Sequence, residues 1–198
     1  MRSPLLLAAL SGAALSLAAC AAAPPPPAPP PEPAAASAKT AEPAPAPEMA
    51  PTPYTADEIR EGCPAGRHIV FRVKEPDKPD IVRTVDFLKS DADGADIRTV
   101  DTDPSGKVLH TEDTRATWDD LRRHAEFPKD SVVVTQRMTV HPLGTLDTFV
   151  YKVTRGSGPD EEVTTFHFAK KYPGPPVLYF TDKAGKRVKT TTMESTAK

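Results

Sequence analysis

The sequence is poor in cysteine and has no excess of basic residues. Its only cysteines, Cys20 and Cys63, are too few for the disulfide framework that holds small secreted domains together. The formal net charge of −2 leaves no basic surface of the kind that nucleic acids attract. We therefore expect no nucleic-acid partner, and a domain whose stability comes from a hydrophobic core.

The sequence also lacks local catalytic motifs. It contains no nucleophile elbow, no phosphate-binding loop and no dinucleotide-binding glycine pattern. The adjacent Asp119 and Asp120 diverge on a helix and cannot act as a catalytic pair. The five histidines show none of the spacings of zinc sites; they are His68, His110, His124, His141 and His167. We expect no cofactor and no metal.

No apolar run is long enough to span a membrane as a helix, which takes about 20 residues. The longest run, residues 5–19, is rich in Leu and Ala and follows Arg2, which is the pattern of an export signal. It ends in the sequence Leu17-Ala18-Ala19-Cys20. This sequence resembles the lipobox of bacterial lipoproteins at every position.

The resemblance to bacterial lipoproteins implies that residues 1–19 are a cleaved signal peptide and that Cys20 is the first residue of the mature chain. It implies a diacylglycerol thioether on the Cys20 sulfur and a fatty acid, such as palmitate, on its amino group. Two or more acyl chains anchor a protein stably to a membrane. Ala21, in place of Asp, resembles the class directed to the outer membrane, so we expect a lipid-anchored envelope protein that faces the periplasm. The alternative is an ordinary signal peptide in which Cys20 is incidental.

Residues 20–53 have the composition of a tether. Thirteen of the 24 prolines lie between Pro24 and Pro53, and alanine fills most of the other positions. Proline removes backbone donors and favours an extended polyproline II chain without a packed core. We predict a disordered spacer; a PxxP recognition motif within residues 24–31 is the alternative.

Residues 54–198 predict one mainly β domain. Apolar residues alternate with polar ones along eight segments, and turn sequences rich in Gly, Asp and Pro separate most of them. The segments are residues 69–74, 81–87, 97–100, 131–140, 148–154, 163–168, 177–181 and 187–193. Short connections of this kind predict an antiparallel meander of about eight strands, curved into an open sheet or a half barrel.

Two short helices complete the predicted domain. Thr55 and Glu58 have the spacing of a capping box at the start of a helix that ends near Gly62. Thr117 precedes a second helix over residues 118–124 and is a good N-cap. Trp118, the only tryptophan, lies on the apolar face of this helix, so we expect it to fill the concave side of the sheet.

Residues 101–112 place oxygen-bearing side chains at the spacing of a calcium-binding EF-hand loop. Leu109, however, occupies a position that is usually polar, and the flanking residues 97–100 and 108–114 resemble strands and not helices. The pattern therefore favours a β-hairpin with its turn at Asp103-Pro104-Ser105-Gly106.

Two further residues have both a structural and a chemical interpretation. Cys63 is predicted to be an inert, partly buried thiol, with a reactive or cross-linking thiol as the alternative. His167 lies between Phe166 and Phe168, so its side chain points to the opposite face of their strand. It is predicted to be an ordinary strand residue and not a general base.

Two motifs within residues 138–193 resemble those of poorly characterised bacterial envelope β-domains. One is the turn and strand start Pro142-Leu143-Gly144-Thr145-Leu146-Asp147, and the other is FHFAKKYPGPPV at residues 166–177. The resemblance implies a curved antiparallel sheet, similar to the half barrels of periplasmic lipoprotein carriers, and transfers no activity. With the missing catalytic motifs, it favours a non-enzymatic binding or scaffold protein that holds an apolar ligand or a partner segment in the concavity. The alternative is an envelope hydrolase whose active-site residues converge only in the fold.

Overall fold

A computed structural model describes residues 47–197, which form one open antiparallel sheet of nine strands with two short helices. The strands are β1 His68–Lys74, β2 Ile81–Ser90, β3 Gly94–Thr102, β4 Val108–Thr117, β5 Val132–His141, β6 Gly144–Arg155, β7 Glu162–Ala169, β8 Leu178–Lys183 and β9 Lys186–Ala197. The helices are α1 Ala56–Gly62 and α2 Trp118–Arg123. The predicted mainly β antiparallel fold is confirmed. The predicted signal peptide, Cys20 and most of the predicted tether lie outside the described residues.

The strand order in the sheet is β4-β3-β2-β1-β9-β8-β7-β6-β5. Short connections join β1 to β4 as one meander and β5 to β9 as a second, as the turn sequences predict. The two meanders form one sheet because the last strand pairs with the first, with Phe71 opposite Met193. No local motif predicts this pairing, since it joins residues more than 100 positions apart.

β4 is the returning strand of the predicted hairpin. Its residues are exposed along almost its whole length, so it lacks the apolar alternation of a half-buried strand. It pairs in continuous register with β3 from Gly94↔Thr117 to Asp101↔His110. Residues 108–114, which resemble a strand in the sequence, thus belong to a strand that continues to Thr117, and the sheet has nine strands where about eight were predicted.

Both predicted helix starts are confirmed in detail. Thr55 and Glu58 form a reciprocal capping box at α1, and Thr117 and Asp120 form one at α2. Such a box satisfies two of the backbone donors that a helix start leaves free. No helix within residues 47–197 is long and apolar enough to cross a membrane.

The hydrophobic core lies between the two helices and one face of the sheet. Trp118 is buried there as predicted, and its Nε1 donates a hydrogen bond to the Asp91 carbonyl at 2.9 Å. The largest buried side chains include Ile69, Tyr151 and Met193 from β1, β6 and β9. The strands thus contribute to a core that covers the junction of the two meanders.

The domain begins earlier than the sequence predicts. Ala50 is buried, and its backbone N–H donates to the Phe127 carbonyl at 2.8 Å. The Tyr151 hydroxyl donates to the Pro51 carbonyl at 2.7 Å. Residues 48–53, which their proline content assigns to the tether, therefore pack on the domain. Proline carbonyls can still accept hydrogen bonds, and an alanine side chain is small enough to be buried there.

We expect deletion of residues 24–46 to leave the thermal midpoint of the domain unchanged, and deletion of residues 24–53 to lower it. The longer deletion removes two buried hydrogen bonds worth about 1 kcal/mol each, which corresponds to about 4 to 8 °C for a domain of this size. Calorimetry of both variants beside the parent measures the difference. Equal midpoints for the two deletions would contradict the assignment of residues 48–53 to the domain.

Candidate functional site

A cavity of about 200 Å³ opens between the helices and the core face of the sheet. Its walls are almost entirely apolar side chains, and they come from five parts of the fold. Those that define it are Ile59 of α1, Val85 and Phe87 of β2, Ile97 of β3, Leu121 of α2 and Pro176. We call this cavity the helix-face groove.

The proline-rich segment between β7 and β8 forms one wall of this groove. Pro175 and Pro176 line it, and they also line an adjoining pocket of about 150 Å³. Gly174 has a φ of +124°, and a side chain there would come within 2.9 Å of the Cys63 sulfur. The unusual PGPP sequence thus has a structural reason: it brings the connection close to α1 and leaves an apolar opening beside it.

The adjoining pocket has a polar character. The Arg83 guanidinium holds Asp101 by two hydrogen bonds of 2.7 Å, and this contact lowers the pKa of the Asp101 carboxyl. Thr191 also lines the pocket; it is 2% exposed, and its hydroxyl has no hydrogen-bond partner within residues 47–197. Buried polar atoms are nearly always paired, so this hydroxyl is an exception among the described residues.

Cys63 lies on the wall of the groove and is fully buried. Arg67 donates from Nη1 to the Cys63 sulfur at 3.0 Å, and the same nitrogen donates to the carbonyls of Gly62 and Pro173. Burial raises the pKa of the thiol, although Arg67 opposes the shift. A buried thiol with a raised pKa is a poor nucleophile. Arg67, which sequence analysis missed, instead joins the end of α1 to the proline-rich connection.

The opposite face of the sheet carries a larger and more polar depression of about 510 Å³. Side chains of β5 to β8 line it, among them Thr135, Arg137, Lys152, Thr165, Phe180 and Asp182. Asp182 is paired with Arg187, whose guanidinium carbon lies 3.6 Å from the centre of the Phe180 ring.

His167 lies on this opposite face, away from Phe166 and Phe168, as the strand alternation predicts. It is 1% exposed. Arg137 Nη2 lies 3.3 Å from His167 Nε2, and Thr139 Oγ1 lies 3.1 Å from His167 Nδ1. The Thr139 hydroxyl lies 2.8 Å from that of Thr148, which donates to the Arg137 carbonyl at 3.0 Å.

The hydrogen-bond donors in this network determine the protonation state of His167. A guanidinium can only donate, so Nε2 must accept and the ring proton must lie on Nδ1. Burial, together with the charge of Arg137 and the nearby His141, lowers the pKa of His167 to about 4. The ring is therefore neutral, and each of its two nitrogens makes a hydrogen bond. His167 orders Arg137 and the two threonines, and it is not free to act as a general base.

His141 has a similar structural role at the predicted Pro142-Leu143-Gly144 turn. Its Nδ1 accepts from the Leu143 N–H at 3.1 Å, so its Nε2 donates to the Val177 carbonyl at 3.0 Å. Burial lowers the pKa of His141. The two motifs that carry the envelope-domain resemblance also contact each other directly, because the Lys170 N–H donates to the Asp147 carbonyl at 3.0 Å, and both are structural.

The structure does not bring the other candidate residues together. His68 and His110 are exposed on β1 and β4, and His124 lies at the rim of the helix-face groove. Asp119 pairs with Arg122, whereas its neighbour Asp120 caps α2. Within residues 47–197, no group of three or more His, Cys, Asp and Glu side chains is placed to hold a metal ion.

The predicted hairpin at residues 101–112 is confirmed. One Asp103 carboxylate oxygen accepts from the N–H groups of Ser105 and Lys107, at 2.8 and 3.0 Å. Asp101 is held by Arg83, and Glu112 lies opposite Thr99. The oxygens of the supposed calcium loop are thus used within the turn or lie along separate strands.

We expect calcium titration of the mature protein to show no micromolar binding by calorimetry, because the hairpin cannot wrap these oxygens around an ion. The matched variant Asp103→Ala together with Glu112→Ala serves as the control. Micromolar binding that both changes abolish would contradict this prediction.

No protein-family model matches this sequence, and no curated protein does either. A solved structure with a similar outline is a protein of Bacteroides fragilis that is assigned as exported and described as having a YmcC-like fold. It aligns with a TM-score of 0.45 and 10% identity over 68% of this chain and 96% of that chain. At this level of similarity the neighbour carries no information on function.

Proposed function

We propose that this chain is a lipid-anchored envelope protein whose β domain binds an apolar group in the helix-face groove. The observation that carries the proposal is the preformed apolar opening between α1, α2 and the core face of the sheet. Ligand sites are typically concave, largely apolar and preformed, with a few polar groups that fix orientation. The groove and its adjoining pocket have these properties.

The size of the groove limits what it can hold. A cavity of about 150 Å³ accepts a benzene-sized molecule, so about 200 Å³ suits one aromatic ring or one branched apolar side chain. We therefore favour a small apolar ligand, or a partner segment inserting one apolar side chain.

The same proposal includes the location of the protein in the cell. The lipobox-like sequence before Cys20 supports cleavage and lipidation there, and Ala21 supports the outer membrane facing the periplasm. The proline-rich residues 21–46 would then separate the domain from the bilayer, at about 3.1 Å per residue in an extended chain. A tethered binding domain of this kind reaches partners or ligands well away from the membrane surface.

An enzymatic role has less support than binding. His124 and Cys63 border the helix-face groove, but the thiol is buried and its pKa is raised. His167, beneath the depression on the other face, is neutral and fully hydrogen-bonded. A hydrolase needs a nucleophile and a base within hydrogen-bond reach of each other, and neither depression provides such a pair among the described residues.

We expect toluene, a neutral probe with a single aromatic ring, to bind in the groove when followed by ligand-observed NMR, and Ile97→Phe to weaken its binding at least tenfold. The larger ring fills the groove from β3. Val100→Phe is the matched control, because Val100 lies on the same strand but on its opposite face. Far-UV circular dichroism checks that both variants fold. Equal probe affinity in the two variants would contradict binding in this groove.

A further inference from the structure

The two edges of the sheet are formed by β4 and β5. The outer side of each has no strand partner within residues 47–197. An edge strand presents a row of unpaired N–H and C=O groups that can pair with another strand, and natural proteins usually protect such edges with charged residues or proline.

The edge formed by β5 is poorly protected. Arg137 is its only charged side chain apart from the titratable His141, and the strand contains neither proline nor glycine. Four of its apolar side chains are exposed: Val133 by 61%, Val134 by 41%, Met138 by 62% and Val140 by 89%. The opposite edge, β4, instead carries Glu112, Asp113 and Arg115. β4 also exposes Val108 by 57% and Leu109 by 52%, but its charged residues protect it. The exposed apolar residues of β5 lack such protection and indicate an interaction surface.

The side chains of β5 are complementary to a second copy of the same strand. On the face shared with the helices they are Val132, Val134, Gln136, Met138 and Val140, an order nearly symmetric about Gln136. We propose that β5 pairs antiparallel with β5 of a second copy of this chain, with Gln136 opposite Gln136. In this register Val134 lies opposite Met138 of the second copy, and Val132 lies opposite Val140.

The same register is acceptable on the other face of the strand. There Val133 faces Thr139 and Thr135 faces Arg137 of the second copy, so no two like charges are directly opposed. The two Arg137 side chains are diagonal neighbours, and each is drawn away from the other towards His167 of its own chain. The pairing is isologous, as two-fold dimers require, and it extends the sheet with both helix-covered faces on one side.

The predicted tether is unsuited to pair with β5 as an added strand. Residues 20–46 are rich in proline, which has no N–H to donate to a ladder. Lipid anchoring, which rests on the proposed function, would keep copies in one membrane and raise their local concentration. The strand pairing itself does not depend on that anchor.

The test is thiol cross-linking of the full chain in membranes with a short bis-maleimide. Gln136→Cys should cross-link to itself, because directly opposite Cβ atoms are about 5 Å apart. Val134→Cys and Met138→Cys should each give at least fivefold less cross-linked dimer alone, because identical positions are then about 14 Å apart along the strands. Co-expressed, these two variants should cross-link to each other. Thr114→Cys on the opposite edge β4 is the control.

A second substitution separates the pairing from general association. In the Gln136→Cys chain, Met138→Lys should reduce the dimer at least fivefold, because it puts a charge opposite Val134 of the second copy. Val108→Lys should leave the dimer unchanged, since Val108 is similarly exposed but lies on β4. Cross-linking of Gln136→Cys no greater than that of Thr114→Cys would overturn the proposal. Equal effects of the two lysines, or a cross-link to a different protein in place of a second copy, would also overturn it.

Discussion

Replacement of Cys20 by Ser is expected to move the protein from the membrane fraction to the soluble fraction almost completely. A thioether requires a thiol, and a serine hydroxyl at this position has no equivalent chemistry. The change removes the acyl chains that the resemblance to lipoproteins predicts, and stable anchoring takes two or more such chains. No helix within residues 47–197 can replace it as a membrane span.

Metabolic labelling with a fatty-acid analogue tests the same prediction chemically. The parent should carry the label and the Cys20→Ser chain should not. Cys63→Ser is the matched control, because Cys63 is buried in the domain and lies far from the predicted cleavage point. Label retained by the Cys20→Ser chain would refute lipidation at this residue, and a soluble, unlabelled parent would favour the ordinary signal peptide.

The titration of His167 is expected to contribute a fall of about 2 kcal/mol in the free energy of unfolding of the domain between pH 7.5 and pH 5.0. Its pKa is lowered to about 4 in the folded chain, whereas an unfolded histidine has a pKa near 6.5. The unfolded state therefore binds more protons between these values, and stability rises with pH. The contribution is complete above about pH 6.5 and is lost as the pH falls towards 4.

Urea unfolding at the two pH values measures this effect. His167→Gln should lower the free energy of unfolding at pH 7.5, because it breaks the network with Arg137 and Thr139, but should remove about 2 kcal/mol of the pH dependence. His110→Gln, at an exposed position on β4, should retain the full dependence. Carboxylates such as Asp101, whose pKa is lowered by Arg83, lose their contribution mainly below this pH range. An unchanged pH dependence in His167→Gln would show that this ring is not the neutral group that the network requires.

Local patterns were sufficient to predict most elements of the domain. The caps at Thr55 and Thr117 depend only on side chains reaching backbone groups three residues away. The hairpin turn at Asp103 likewise uses atoms within five residues. The face on which His167 lies follows from strand alternation alone. These features were predicted correctly because their free energy comes from neighbours along the chain.

Features that depend on distant partners were predicted less well. β4 was predicted only as the strand after the hairpin turn, over residues 108–114, because a strand without a buried face has no apolar alternation to indicate its full length. Residues 48–53 were assigned to the tether, because their composition does not reveal that Ala50 and Pro51 bond to Phe127 and Tyr151. The helix-face groove was anticipated only as a concavity. Its walls come from segments that are far apart in the chain.

The sequence by itself determined the class of fold and the hairpin at residues 101–112, and it predicts an export signal with lipidation at Cys20, since each depends on composition or on short spacings. Only the tertiary structure decided that β9 pairs with β1, that the proline-rich connection forms one wall of an apolar groove, and that Arg137, Thr139 and Thr148 hold His167 neutral. The physical reason is that these contacts gain their free energy from burial between distant segments. That burial exists only once the two meanders have joined into one sheet.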